Sequence, residues 1–178
     1  MKYRRLKIPG GVYFFTVALR DRQSNYLIEY IALLTKAMKD VRETMPYKTI
    51  ALVVLPDHLH TMWQLPDEDD NYSARWMRIK KQFTRRLIRE GVQIRKNHLG
   101  ECDLWQRRFW EHALRNEKDY ENHANYIHYN PVKHRYVRRV RDWPYSTFHR
   151  YVREGVYPLN WCDSGLYGAD LMVGEIVR

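Results

Sequence analysis

Two histidines one residue apart, His58 and His60, and a tyrosine and an asparagine one helical turn apart, Tyr126 and Asn130, are the residues whose types and spacing suit chemistry on a phosphate. Side chains alternate across an extended strand, so imidazoles at i and i+2 face the same way and can present two nitrogens to one divalent ion. Residues at i and i+4 of a helix share a face about 6 Å apart along the axis. Asn130 could therefore offer an oxygen to that ion while Tyr126 attacks. Tyrosine is a weak nucleophile at its usual pKa near 10, so a catalytic one needs a polarised phosphate and an exit for its proton. Of Tyr120, Tyr126 and Tyr129, Tyr126 alone has a carboxamide four residues on. His123, at i−3, could assist or simply lie on the surface. Asp57 could hold the His58 imidazole from behind, or end a turn. Two imidazoles and one weaker oxygen leave positions open for phosphate and water, which suits Mg²⁺ or Mn²⁺ better than structural zinc. These parts suit cutting and rejoining DNA, but an HxH pair alone recurs by chance, so the elements around it carry the argument.

The periodicity predicts those elements. Val12–Leu19 is a β-branched and aromatic run of strand length, and from about Asn25 apolar residues recur every three or four until Pro46. Thr49–Leu55 and His58–Leu65 read as two strands around the break Pro56-Asp57, which puts the histidines at a strand start beside a turn. Ser73–Arg95 reads as an amphipathic helix and Trp105–Leu114 as a fourth strand. Asn116 is a good N-cap, with Glu117 and Asp119 in the first turn. That helix is expected to run to about Tyr129, because Pro131 opposes continuation. Trp143–Arg153 suggests a last helix. This order implies one α+β domain over residues 1–178, an antiparallel sheet of about four strands with helices mainly on one face, close to the ferredoxin-like arrangement. The tail from about 163 is expected to be peripheral or flexible.

Charge points to the partner. The chain has 31 Lys and Arg against 21 Asp and Glu, a net charge of +10, which favours a polyanion such as nucleic acid. In the Ser73–Arg95 helix, Arg75, Arg78, Lys80, Lys81, Arg85, Arg86, Arg89 and Arg95 meet a single acidic residue, Glu90, and read as a phosphate-contacting face. Arg107 and Arg108 could add to it, as could the basic N-terminal residues Lys2, Arg4, Arg5 and Lys7. No apolar run has the length of a membrane span and the N-terminus lacks a signal-like stretch, so a cytoplasmic, nucleoid-associated protein is expected. Cys102 and Cys162 have no paired spacing, which argues against a zinc ribbon or a disulfide framework.

Four runs carry a family resemblance: VVLPDHLHTMWQLP (Val53 to Pro66), RWMRIKKQFT (Arg75 to Thr84), WQRRFWEHALRNEKDYENHANYIHYNPVKH (Trp105 to His134) and DWPYSTFHRYV (Asp142 to Val152). Together they resemble the REP-associated tyrosine transposases, bacterial members of the HUH single-tyrosine group. The resemblance implies that His58 and His60 bind the ion and that Tyr126 attacks the scissile phosphate, leaving a 5'-phosphotyrosine link and a free 3'-hydroxyl. It implies single-stranded DNA hairpins as substrate, the repetitive extragenic palindromes, and a monomer or homodimer with no obligatory protein partner. Asn130 stands where the wider family usually carries Gln, with a shorter reach, and Arg135 where relatives often have Gly. Two rivals remain: a hairpin-binding protein of the same fold without cleavage, and a metal-dependent phosphodiesterase that uses water.

Overall fold

Four strands pair into one sheet in the order β2-β3-β1-β4, every neighbour antiparallel. In chain order the elements of this computed structural model, which describes residues 6–164, are β1 (Val12–Ala18), α1 (Tyr26–Glu29), α2 (Ile31–Thr44), β2 (Lys48–Val54), β3 (His58–Gln64), α3 (Tyr72–Arg89), β4 (Trp110–Ala113), α4 (Glu117–Lys133) and α5 (Phe148–Arg153). This is the expected ferredoxin-like order. Lys2, Arg4, Arg5 and the tail from residue 165 lie outside the described residues.

Alternation along the strands sends two sets of side chains to opposite faces. Tyr13, Phe15 and Val17 of β1 join Leu59 and Trp63 of β3 beneath α2 and α3. The Trp63 ring stacks between Tyr47 at 4.0 Å and Trp76 at 4.2 Å, each such pair worth about 0.5–1.5 kcal/mol beyond area burial. On the other face Phe14, Val53 and Met62 pack against Ala124, Tyr126 and Ile127 of α4. Two long helices thus cover one face as expected, and α4 takes the face that bears the histidines.

Besides α3, which ends at Arg89 rather than at Arg95, three boundaries differ from the periodicity reading. The fourth strand is shorter than Trp105–Leu114. Trp105 bridges Leu19 and Trp110 pairs with Thr16, so five residue steps on one chain oppose three on the other, and the two extra push Arg107 and Arg108 out of the ladder into solvent. The last helix is confined to Phe148–Arg153, because Tyr145 to Thr147 instead bond the edge of β2: Val54 N donates to Tyr145 O, and Leu52 N to Thr147 Oγ1.

The third difference bears on the site. Helix α4 continues through Pro131 to Lys133. The proline forfeits only one intrahelical bond near the helix end, while Ile127, Asn130 and Pro131 are all buried. The end is closed by Tyr136 N to Pro131 O and Arg135 N to Val132 O, a Schellman arrangement with Arg135 at φ 61. That left-handed residue explains why a glycine suits position 135. Asn130 therefore keeps helical register with Tyr126.

Candidate active site

The register of β3 sets His58 opposite Ala18, and His60 opposite Thr16 and Val53, with both imidazoles on the face covered by α4. Both are buried, as expected for side chains held between a sheet and a helix. Their rings lie 5.0 Å apart. His58 Nδ1 donates to Asp57 Oδ1 at 2.7 Å, and Arg22 Nε donates to Asp57 Oδ2 at 2.7 Å. Asp57 thus orients His58 from behind, the role considered for it, and turns Nε2 away from the turn. Burial works to raise the Asp57 carboxyl, but its bond to His58 and the charge of Arg22 outweigh it and hold the group below its ordinary range. His60 Nδ1 pairs with Thr16 Oγ1 at 2.8 Å. Burial above all, then the neighbouring His58, His134, Lys133 and Arg22, push the His60 imidazole well below its usual value, so it is neutral, the form that ligates.

Helix α4 brings the other half. The Tyr126 ring lies 5.2 Å from His60 and the His134 ring 5.2 Å from His58. Lys133, two turns beyond Tyr126, donates from Nζ to Tyr126 Oη at 3.3 Å and sits 4.7 Å over its ring. Asn130 is fully buried, and neither Oδ1 nor Nδ2 has a hydrogen-bond partner. Such a group costs about 1–3 kcal/mol unless something binds it. Two oriented imidazoles and an unsatisfied carboxamide on one face of the sheet fit a divalent ion. The set carries no negative charge, so an anionic phosphate would complete it, and the surrounding Lys133, His134 and Arg22 favour one.

Other expected residues are placed differently. His123 does not reach His60: the Phe14 ring contacts both, 5.6 Å from His60 and 4.8 Å from His123. His123 instead turns to Asp119, donating from Nδ1 to its carbonyl at 2.7 Å, because Phe14 fills the space toward Tyr126. Arg75 is a correction. It is 0% exposed and all five of its N–H groups are used, by Asp69, the Met45, Pro46 and Asn71 carbonyls among them. It ties the start of α3 to the turn before β2 and has no donor left for DNA. Its place beside Trp76 and four residues before Ile79, on the apolar stripe, was the signal. Arg86 pairs with Asp40 of α2 and with Gln82, and Lys80 donates to the Gln106 carbonyl, so both are also turned to protein. Arg78, Lys81, Arg85 and Arg89 remain as one exposed stripe, joined by Arg95, Arg107 and Arg108 in exposed loops. Lys7 pairs with Asp70 at 3.3 Å.

Sequence reasoning missed Thr16, Arg22, Lys133 and His134. Only Lys133 left a local signal, its i+7 spacing from Tyr126; the others depend on strand register or loop path.

No helix among the described residues is long and apolar enough to cross a membrane. The family described as "Transposase IS200 like" matches residues 13–130. A REP-associated tyrosine transposase of Escherichia coli (strain K12) is 48% identical over 160 residues, covering 90% of each chain. A Haemophilus influenzae protein carrying the same family name is 51% identical over 161 residues, covering 89% of this chain and 92% of that one. A solved structure, described as the REP-associated tyrosine transposase bound to a REP hairpin, matches with a TM-score of 0.80 at 47% identity, covering 90% of both chains.

Proposed function

Because this chain belongs to the IS200-like transposases and, among them, to the REP-associated tyrosine transposases, we propose that it cleaves and rejoins single-stranded DNA at hairpin elements through Tyr126. The observation that carries the reading is the junction on one sheet face of two oriented, buried imidazoles, an unsatisfied Asn130 carboxamide and a tyrosine whose hydroxyl meets a lysine. His58, His60 and Asn130 would hold a divalent ion, Mn²⁺ or Mg²⁺, which polarises the scissile phosphate and steadies its charge in the transition state. Asp57 and Thr16 hold the two imidazoles, leaving their other nitrogens for ligation.

Lys133 stabilises the developing phenolate of Tyr126 and the charge on the attacked phosphate. The phenolic oxygen bonds to phosphorus and the 3'-oxygen leaves with a proton, giving a 5'-phosphotyrosine and a free 3'-hydroxyl. The reverse attack by a 3'-hydroxyl rejoins the strand with no external energy source. Tyr126 is 2% exposed, so DNA reaches it through a shift of the groups that cover it, of which Lys133 is the exposed one. Support for the hairpin substrate comes from the hairpin-bound relative and from the cationic stripe Arg78, Lys81, Arg85 and Arg89. Phosphate contacts there would position the stem.

The test is incubation of the protein with Mn²⁺ or Mg²⁺ and a labelled hairpin oligonucleotide, followed by denaturing electrophoresis. The expected result is a protein-DNA adduct that disappears in Tyr126→Phe. An adduct that survives this substitution displaces Tyr126 as nucleophile. Cleavage without an adduct makes water the nucleophile, and tight binding without cleavage leaves a hairpin-binding protein.

A further inference from the structure

We propose that His112, Asp119 and His123 form a second divalent-cation site, separate from the His58 and His60 pair, that takes a nitrogen-preferring ion of the zinc class and staples α4 to β4. Each of the three residues can offer one donor atom, and these atoms all lie within 4.8 Å of one another. Donors around a tetrahedral ion bound at roughly 2.0–2.2 Å stand about 3.3–3.6 Å apart, so little closure is needed. Asp119 already gathers both rings. His112 Nε2 donates to Asp119 Oδ2 at 2.8 Å, His123 Nδ1 stands 3.1 Å from Asp119 Oδ1, and the two imidazoles stack at 4.8 Å with planes 14° apart.

His123 faces the cluster through Nδ1, 3.1 Å from Asp119 Oδ1; the residue is 4% exposed, Nδ1 donates to the Asp119 carbonyl in the absence of an ion, and on binding that nitrogen would carry the lone pair and Nε2, buried without a hydrogen-bond partner, the proton. His112 and Asp119 side chains are 22% and 21% exposed, which leaves one flank open for an ion and its waters to enter. Two imidazoles joined by an anionic carboxylate, where the His58 and His60 site has a neutral carboxamide, form a donor set of zinc sites and suit zinc, cobalt or nickel.

The two sites share a sheet face without sharing a ligand. Across the strands His112 opposes Phe14, whose ring touches both His123 and His60. His123 precedes Tyr126 by three residues, so an ion joining it to His112 fixes the first turns of α4 on β4 and with them the height of the tyrosine. Without an ion the same groups merely close the helix start, where Asp119 Oδ2 also accepts Arg115 N at 3.2 Å. Ion counting separates the two cases.

The full chain, stripped with chelator, is titrated with Co²⁺ and Zn²⁺ and its bound equivalents counted, folding being followed by circular dichroism. Two equivalents are expected for the parent and one for His112→Ala. The double variant His58→Ala with His60→Ala should keep one, give a tetrahedral cobalt spectrum, and lose it when His112→Ala is added. The thermal midpoint of the double variant should rise with zinc, and that of the triple variant should not. A His112→Ala protein that binds as many as the parent, or a double variant that binds none, overturns the proposal. None of these results touches the adduct assay, so the two readings fail separately.

Discussion

Replacing Asn130 by Leu should make the metal-free protein more stable while disabling it. Asn130 is 0% exposed, and its Oδ1 and Nδ2 are both buried without hydrogen-bond partners. A carboxamide in that condition costs about 1–3 kcal/mol, and leucine occupies a similar space with no polar atom to desolvate. The expected gain in chelator is therefore about 1–3 kcal/mol, or roughly 2–4 °C in thermal midpoint per kcal/mol for a chain of this size. With Mn²⁺ the order should reverse. At a free ion concentration 100 times the dissociation constant, the parent gains about 2.7 kcal/mol from binding, and a variant with one ligand fewer gains much less. Urea or thermal unfolding in chelator and in Mn²⁺, with adduct formation measured alongside, gives all three numbers. A metal-free Asn130→Leu protein that is less stable than the parent would refute the reasoning, because the carboxamide would then be making favourable bonds of its own.

Other substitutions test the remaining assignments. Arg75→Met should cost about 3 kcal/mol in urea unfolding, since it strips donors from Asp69 and three carbonyls, and should leave the hairpin affinity of the folded protein unchanged. Lys81→Gln combined with Arg85→Gln should do the opposite: no change in stability, and a salt dependence of stem binding shallower by about 1.8 in log–log slope. His128 provides the pH test. Burial lowers its pKa to about 3, so below pH 6.5 the unfolded chain takes up a proton that the native state refuses, and stability falls as pH drops toward 3. Its share of that slope is about 1.4 kcal/mol per pH unit. Unfolding of His128→Gln between pH 7 and 4.5 should show a shallower decline, and an identical decline would exclude His128 as a source.

Much of this protein is local in origin. Alternation along Val12–Ala18 and His58–Gln64, the Asn116 cap and the helical spacing of Trp76, Ile79 and Phe83 depend only on neighbours in the chain, so the strand and helix order and the ferredoxin-like sheet were legible. The pairing of His58 with His60, and of Tyr126 with Asn130, was legible for the same reason: both spacings are those of a single strand or helix. What the local pattern could not carry was the choice between partners distant in sequence. Periodicity makes Arg75 one of several basic residues on α3, but the carbonyls of Met45 and Pro46 bury it. A helix rule stops α4 at Pro131, yet burial of Asn130 and Pro131 and the turn at Arg135 outweigh the one lost bond and keep Asn130 in line with Tyr126. Thr16 behind His60, Arg22 behind Asp57, and the Phe14 ring that diverts His123 toward His112 arise only when strand register and helix docking bring separate segments together. Chemical character is written residue by residue. Which residues share a site was decided by packing, because closing long loops and burying both faces of the sheet depend on the whole chain at once.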